Sequence, residues 1–270
     1  MKKFLGILVL SLLFCGDGFA GKFVNLPKDV ASGNKYKKSL DRKYKKYGMQ
    51  VVSKKDGHPV RAGEKSIRFE VRPGDCGFNE DWSDCDNDRE RHELTGRRMT
   101  GGEWWYAWSI FLPKDFINVS PTKLALGQFH QEKGHVVWMF QNQHYGMHGG
   151  YWVDNQVPGY TKTIDRILTQ DEMIEKWNDI LVNVKWSKKE DGFFKVWLNN
   201  NLVYDYKGST KTKPKVYFKF GIYRSFLSKW IYSSRNKKKE KGVPAQVVYF
   251  DEVRAGKTKE KVVGNLPVLK

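Results

Sequence analysis

From about Ser66 onward the chain breaks into short aromatic and branched runs parted by turn residues, and no other feature constrains its fold as much. Runs at 66–72, 89–94, 104–112, 124–131, 135–143, 180–186, 193–198, 202–207, 216–223 and 246–254 have strand composition. The hairpin over 193–203 is the clearest, with Asn199, Asn200 and Asn201 at its turn. Only 169–177 has helical composition, and it carries no long amphipathic period. Many short strands with so little helix predict an all-β chain whose two sheets pack face to face, as a sandwich or jelly roll. No repeat and no linker divides it, so residues 21–270 are expected to form one domain.

The first twenty residues follow a different pattern. Lys2 and Lys3 precede an apolar run over 4–14, and Gly18-Phe19-Ala20 follows in small-x-small order. That is the layout of a secretory signal peptide, residues 1–20, cleaved after Ala20. The apolar run is too short to span a bilayer, and bulky Phe14 before Cys15 does not suit a lipoprotein cleavage site. The expectation is a secreted or periplasmic monomer with no membrane span. Two cysteines then remain, Cys76 and Cys85. In an oxidising compartment a sole pair bridges, here pinning the loop at 74–88.

A net charge of +18 concentrates polyanions at the surface and speeds their encounter. Nucleic acid, anionic membrane and acidic polysaccharide all fit the charge, and export weighs against nucleic acid. The basic residues gather in a Lys-rich lead-in over 21–48, expected to add one edge strand, and in a loop at 237–241.

Chemistry concentrates on two of the strands. Gln128-Phe129-His130 puts a carboxamide and an imidazole on one face, because alternate residues of a strand project together. Lys219 and Tyr223 share a face of the 216–223 run in the same way. Arg89, Arg91 and Glu93 form a third alternating set. A solvated sheet face laced with ion pairs would account for the charges. It would not account for a Gln and a His within the run at 124–131, so a shared cleft is the better account. His144 and His148 have metal-like spacing, but Gly146, Gly149 and Gly150 oppose the helix that would align them. His144 is expected in a loop contributing to the cleft. No Gly-x-Ser-x-Gly, Gly-x-Gly-x-x-Gly or zinc-protease helix is present.

At these residues a family resemblance emerges. Gln128-Phe129-His130 resembles the Gln-Ile-His motif of jelly-roll alginate lyases, and Tyr217 to Tyr223 is similar to their Tyr-Phe-Lys-Ala-Gly-x-Tyr motif. Arg91-His92-Glu93-Leu94 resembles their Arg-x-Glu-Leu motif. Over a longer stretch the chain looks more like the heparin lyase I and glucuronan lyase group. Ser66-Ile67-Arg68-Phe69-Glu70-Val71-Arg72, Trp105-Tyr106-Ala107-Trp108-Ser109 and Phe220-Gly221-Ile222-Tyr223-Arg224 carry that likeness. It covers most of 66–255, and the order and spacing of the motifs are more specific than any one alone. The fold implied is a single-domain, concanavalin-like β jelly roll with a concave substrate groove. Thr95 stands where a second Arg is usual, Phe220 replaces Ala, and Arg224 follows Tyr223 where alginate lyases carry Asn. Strict alginate specificity is therefore not implied. Arg68-Phe69-Glu70 also fits Arg-x-Glu, but Arg91 and Glu93 immediately precede the aromatic strand, as the family order implies.

The activity implied is β-elimination on an anionic polysaccharide that contains uronic acid. In that reaction Gln128 and Arg91 would neutralise the substrate carboxylate, Arg91 by a bidentate fork that Glu93 orients. Tyr223 would protonate the departing O4, with Tyr223 or His130 as base. Lys219, with Arg91, would favour the ionised phenol, and Lys219, Glu93, Arg89 and His144 would bind substrate. No cofactor is required, and a structural calcium ion is compatible with the chemistry. Two other classes use the same fold. A lectin-like jelly roll binds anionic glycans without an acid or base. A glycoside hydrolase needs two carboxylates about 5–10 Å apart, for which Glu70, Glu93 and Asp75 are the candidates.

Overall fold

Alternation along each strand builds the protein from the inside out. The computed structural model describes residues 22–143, 148–159 and 162–263. The proposed signal peptide and His144 lie outside them. The strands are β1 (Ala31–Ser32), β2 (Lys37–Lys38), β3 (Met49–Ser53), β4 (Lys65–Val71), β5 (Arg89–Thr95), β6 (Gly102–Phe111), β7 (Lys123–Gln131), β8 (Val136–Gln143), β9 (Gly150–Asn155), β10 (Ile164–Thr169), β11 (Asn178–Trp186), β12 (Phe193–Leu198), β13 (Asn201–Lys207), β14 (Val216–Ser225) and β15 (Gln246–Gly256). One sheet runs β10-β9-β8-β7-β14-β5-β2. The other runs β13-β12-β11-β6-β15-β4-β3, with β1 added in parallel beside β15. Every other pairing between these strands is antiparallel, and the two sheets make the jelly roll expected from the strand pattern.

Rings interleave between the sheets. From the first sheet Phe129, Phe218 and Phe220 point inward; from the second come Phe69, Tyr106, Trp108 and Phe250. Tyr106 meets Phe129 edge-on at 4.9 Å, Trp108 lies 5.0 Å from Phe218, and Phe69 meets Phe220 at 5.6 Å. Truncating one of these buried rings to alanine would cost about 3–5 kcal/mol through lost transfer energy and the cavity left behind.

Three expectations needed adjustment. The helical segment at 169–177 shrinks to Gln170–Met173, capped by a reciprocal Thr169–Glu172 box. The lead-in contributes two short strands, β1 and β2, one to each sheet, rather than one. The strands β3, β9 and β10 were not foreseen. By contrast, the 237–241 lysines do lie in an exposed turn region, with Asn236 buried beneath them and bonded to Glu240.

Two departures from regular pairing shape the first sheet. The β14–β7 register shifts between Phe220 and Tyr223. As a result Lys123 on one side of the shift and Gln128 and His130 on the other open onto the same groove, while Leu124, Leu126 and Phe129 fill the core. At the same place Gly221 has φ +129, and a Cβ there would fall on the carbonyl oxygen of His92. Only glycine allows β14 to approach β5 this closely.

Candidate active site

Strands β5, β14 and β7 lie side by side and carry almost every expected site residue into one groove of about 870 Å³. Arg89, Arg91, Gln128, His130, Lys219 and Tyr223 all line it. Glu93 sits beneath them, 1% exposed. The second Arg-x-Glu match lies on β4 in the other sheet, where Glu70 pairs with Arg68 and Arg72.

Glu93 is the hub of the floor. Its carboxylate takes the Lys219 ammonium at 2.6 Å, the Gln128 amide at 2.5 Å and an Arg91 nitrogen at 3.4 Å. Burial alone would push the Glu93 carboxyl up, but Lys219, Arg91 and Gln128 hold it below the usual carboxylate range. For Lys219 burial wins, and its ammonium is pushed down despite Glu93. Lys219 is therefore tied to Glu93 rather than presented to Tyr223. One N–H of Gln128 is spent on Glu93, and the amide carries a second.

Arg91 departs from expectation. Its Nε and one terminal nitrogen each lie 2.6 Å from Asp84, so the bidentate fork closes on the protein's own carboxylate. Glu93 contributes only the weaker contact. Burial disfavours the Arg91 charge, and Asp84 and Glu93 more than restore it. What Arg91 offers the groove is its charge, centred 4.2 Å from the Tyr223 ring. Asp84 was missed because it arrives through a turn rather than along a strand. The turn is closed by the Cys76–Cys85 disulfide, which the cysteine arithmetic did foresee. Trp82 comes from the same turn, lines the groove and donates its indole N–H to Asp84 at 2.9 Å. Trp104, Trp105 and Trp152 do not line the groove.

Tyr223 accepts a hydrogen bond from Arg89 Nε at 2.8 Å. Burial raises the phenol's pKa, while Arg91 and Arg89 pull it back. The cations that most favour its ionised form are thus Arg91 and Arg89. The site holds Tyr223 protonated, as an acid requires, with a donor in place to meet the phenolate once the proton leaves.

His130 is pushed down to about 4, by burial first and then by Lys219. Its Nδ1 lies 2.8 Å from the Gln131 carbonyl, which can only accept. The proton therefore sits on Nδ1, and Nε2 keeps its lone pair, the state a base requires. Tyr217 stacks on the ring and brings its hydroxyl to 3.1 Å from Nδ1.

Around this centre the wall is cationic. Among the described residues Lys37, Lys38, Arg98, Lys123 and Lys162 line it, against one acid, Asp41. The lead-in over 21–48 thus reaches the groove. Of the hydrolase candidates, Glu70 is paired on the far sheet, Glu93 is buried among cations, and Asp75 accepts bonds from Tyr47 and the Arg72 backbone. None of the three lines the groove. Arg224 is fully buried against Glu90 and reads no sugar, so its difference from the alginate lyase motif carries no specificity. Among the described residues no three His, Cys, Asp or Glu are grouped to hold a metal ion, and no helix is long and apolar enough to cross a membrane.

A family model described as polysaccharide lyase matches residues 31–254. No curated protein matches the chain. Among solved structures, an endo-beta-1,4-glucuronan lyase from the fungus Trichoderma reesei aligns with TM-score 0.55 at 17% identity, over 82% of this chain and 91% of that one. The catalytic domain of a glycoside hydrolase family 131 protein from Coprinopsis cinerea aligns with TM-score 0.51 at 12% identity, over 86% of each chain. At such identities these likenesses speak for a shared fold, and a lyase and a hydrolase both use it.

Proposed function

The chain belongs to the polysaccharide lyase family, and from that premise we propose that it cleaves a uronic-acid-containing anionic polysaccharide by β-elimination. The observation that carries this reading is Tyr223, a buried phenol bonded to Arg89 and faced by Arg91, in a groove whose acids are outnumbered by cations. Elimination needs a base, an acid for the leaving oxygen and neutralisation of the carboxylate, which a phenol, an imidazole and a cationic field can supply. Hydrolysis needs two carboxylates beside the glycosidic bond, and among the described residues that line the groove Asp41 is the sole carboxylate.

The C5 proton of a uronate leaves only if its carboxylate is neutralised as charge develops. The second N–H of Gln128 and the surrounding cations supply that neutralisation. Tyr223 then delivers its proton to the leaving O4. Where the C5 proton and O4 lie on the same face of the sugar, Tyr223 first gives its resting proton to solvent, a loss that Arg91 and Arg89 favour, and then takes the C5 proton as phenolate. Where they lie on opposite faces, the base is His130 through Nε2. The products are an ordinary reducing end and an oligosaccharide with an unsaturated sugar at its new terminus. Ultraviolet absorbance of that conjugated enol ether, measured on separate uronate polymers, tests the reading.

Export belongs to the same proposal. Residues 1–20 act as a signal peptide cleaved after Ala20, delivering the protein to the periplasm or beyond, where polymeric substrates lie. The Cys76–Cys85 bridge suits that oxidising destination. Mass spectrometry of the mature N-terminus tests the cleavage site.

A further inference from the structure

One end of the groove holds two cations that the elimination does not use, Lys123 and Lys162, beside Arg89, which it does. Ser225 on β14 pairs in register with Arg89 on β5 and with Lys123 on β7. At about 4.8 Å between strands, two cations flank a small hydroxyl across a gap of about 10 Å. All three residues line the groove. The row lies one step beyond Tyr223, which pairs with Arg91 and Ala125. Gln128 pairs with Lys219, on the opposite side of Tyr223. A carboxylate held at Gln128 therefore cannot also occupy the Ser225 row, and an anion bound there must belong to another sugar.

The charges in this row are held together against their own repulsion. Burial pushes the Lys123 ammonium down, Asp154 draws it back from 4.0 Å, and Lys162 and Arg89 push it down again. Asp154 is itself shared, since it also accepts the amides of Gln141 and Gln156. Lys123 and Lys162 thus both draw on one divided carboxylate while Arg89 repels Lys123, and a bound anion would relieve that repulsion.

We propose that Arg89, Ser225 and Lys123, with Lys162 beside them, form an anion subsite for the acid group, carboxylate or sulfate ester, of the sugar next to the one that is cleaved. The proposal rests on the lyase reading and deepens it. The enzyme then reads charge on consecutive sugars, so a polymer acidic at every residue engages both positions and an alternating acidic–neutral polymer engages one.

The test is calorimetric binding in the Tyr223→Phe background, which is expected to bind without turnover, using tetrasaccharides of three kinds: acidic at every sugar, alternating with neutral sugars, and alternating but sulfated. Adding Lys123→Gln should weaken the fully acidic oligomer about tenfold, the loss of one charge-assisted contact. It should leave the unsulfated alternating oligomer within about twofold. Lys123→Arg should restore binding, and the exposed Lys162→Gln should repeat the selective loss to a smaller degree even if Lys123→Gln does not fold. A selective loss on the sulfated oligomer as well would assign sulfate to the subsite; its absence would assign carboxylate alone. Equal loss on all three, or no loss on the fully acidic one, would overturn the proposal. If the wild-type protein released no unsaturated product from any uronate polymer, the lyase reading would fail, while a selective loss of binding would still establish the subsite.

Discussion

Asp84 grips Arg91 through both carboxylate oxygens, each 2.6 Å from a guanidinium nitrogen, in the residue just before the disulfide cysteine Cys85. The Asp84 side chain is fully buried. Replacing it leaves the Arg91 charge under the active groove with only the 3.4 Å contact to Glu93. Asp84→Asn should therefore cost about 3–5 kcal/mol of stability, the typical price of breaking a buried pair, read by urea unfolding. Turnover should fall as well, because Arg91 would no longer hold its place over Tyr223. The Cys76→Ser/Cys85→Ser double variant should cost about 2–3 kcal/mol from loop entropy, and lose turnover by the same route. Full activity in both variants would show that the turn does not position Arg91.

The Glu93 hub separates buried from exposed charge. Glu93→Gln strands Lys219 and Arg91 without their shared anion and should destabilise by about 3–5 kcal/mol. The solvent-facing pair of Lys195 and Asp205, 3.1 Å apart, should be worth no more than about 1 kcal/mol. Unfolding curves of Glu93→Gln and Asp205→Asn, taken side by side, check the contrast. Equal effects would contradict the burial argument.

Arg89 connects the acid to its stabilising charge. Arg89→Gln removes the Nε donor to Tyr223 and should lower kcat by roughly 10²–10³-fold, the scale of one transition-state donor. It should raise KM as well if the Ser225 row binds substrate. An unchanged kcat would mean that the phenolate needs no help from Arg89.

The pH dependence follows from His130. In the unfolded chain its imidazole takes up a proton near pH 6.5, the ordinary value, whereas the folded protein refuses it until about 4. Between those values the unfolded state binds more protons, so the His130 contribution to stability falls as pH drops from about 6.5 to about 4 and is constant above. Activity that relies on neutral His130 should keep its acid limb near the lower value in the free enzyme. At the other extreme the raised Tyr223 phenol stays protonated where an unfolded tyrosine ionises, so stability falls with rising pH above about 10. Acid titration of His130 by NMR checks the first window, and a folded-state value near 6.5 would contradict it.

The strands that carry the chemistry were legible because their apolar residues alternate and their polar residues interrupt that alternation. Gln128, His130, Lys219 and Tyr223 announced themselves by sitting where core residues belong. Strand β9 did not, since Asp154 and Asn155 are almost wholly buried within it, a placement made tolerable by Gln141 from β8 and by Gln156 and the Val157 N–H just past the strand. Strand β10 alternates poorly because Asp165 and Arg166 both face solvent at the sheet edge. The role of Arg91 was misjudged for a different reason. A motif shows that an arginine and a glutamate share a face, but not that a third residue has reached in through a disulfide-closed turn to take the fork. Trp82 escaped notice in the same way.

The most direct test of elimination by Tyr223 is ultraviolet absorbance during incubation of residues 21–270 with glucuronan, alginate, heparin, heparan sulfate and hyaluronan, each in parallel with Tyr223→Phe. The account predicts a steady rise on at least one polymer, lowered by about 10²–10⁴-fold or more in the variant, with the melting temperature little changed. A rise that survives Tyr223→Phe would assign the proton transfer elsewhere. No rise on any polymer, with tight and salt-sensitive binding to one of them, would contradict the account and leave a lectin-like jelly roll that holds anionic glycans without cleaving them.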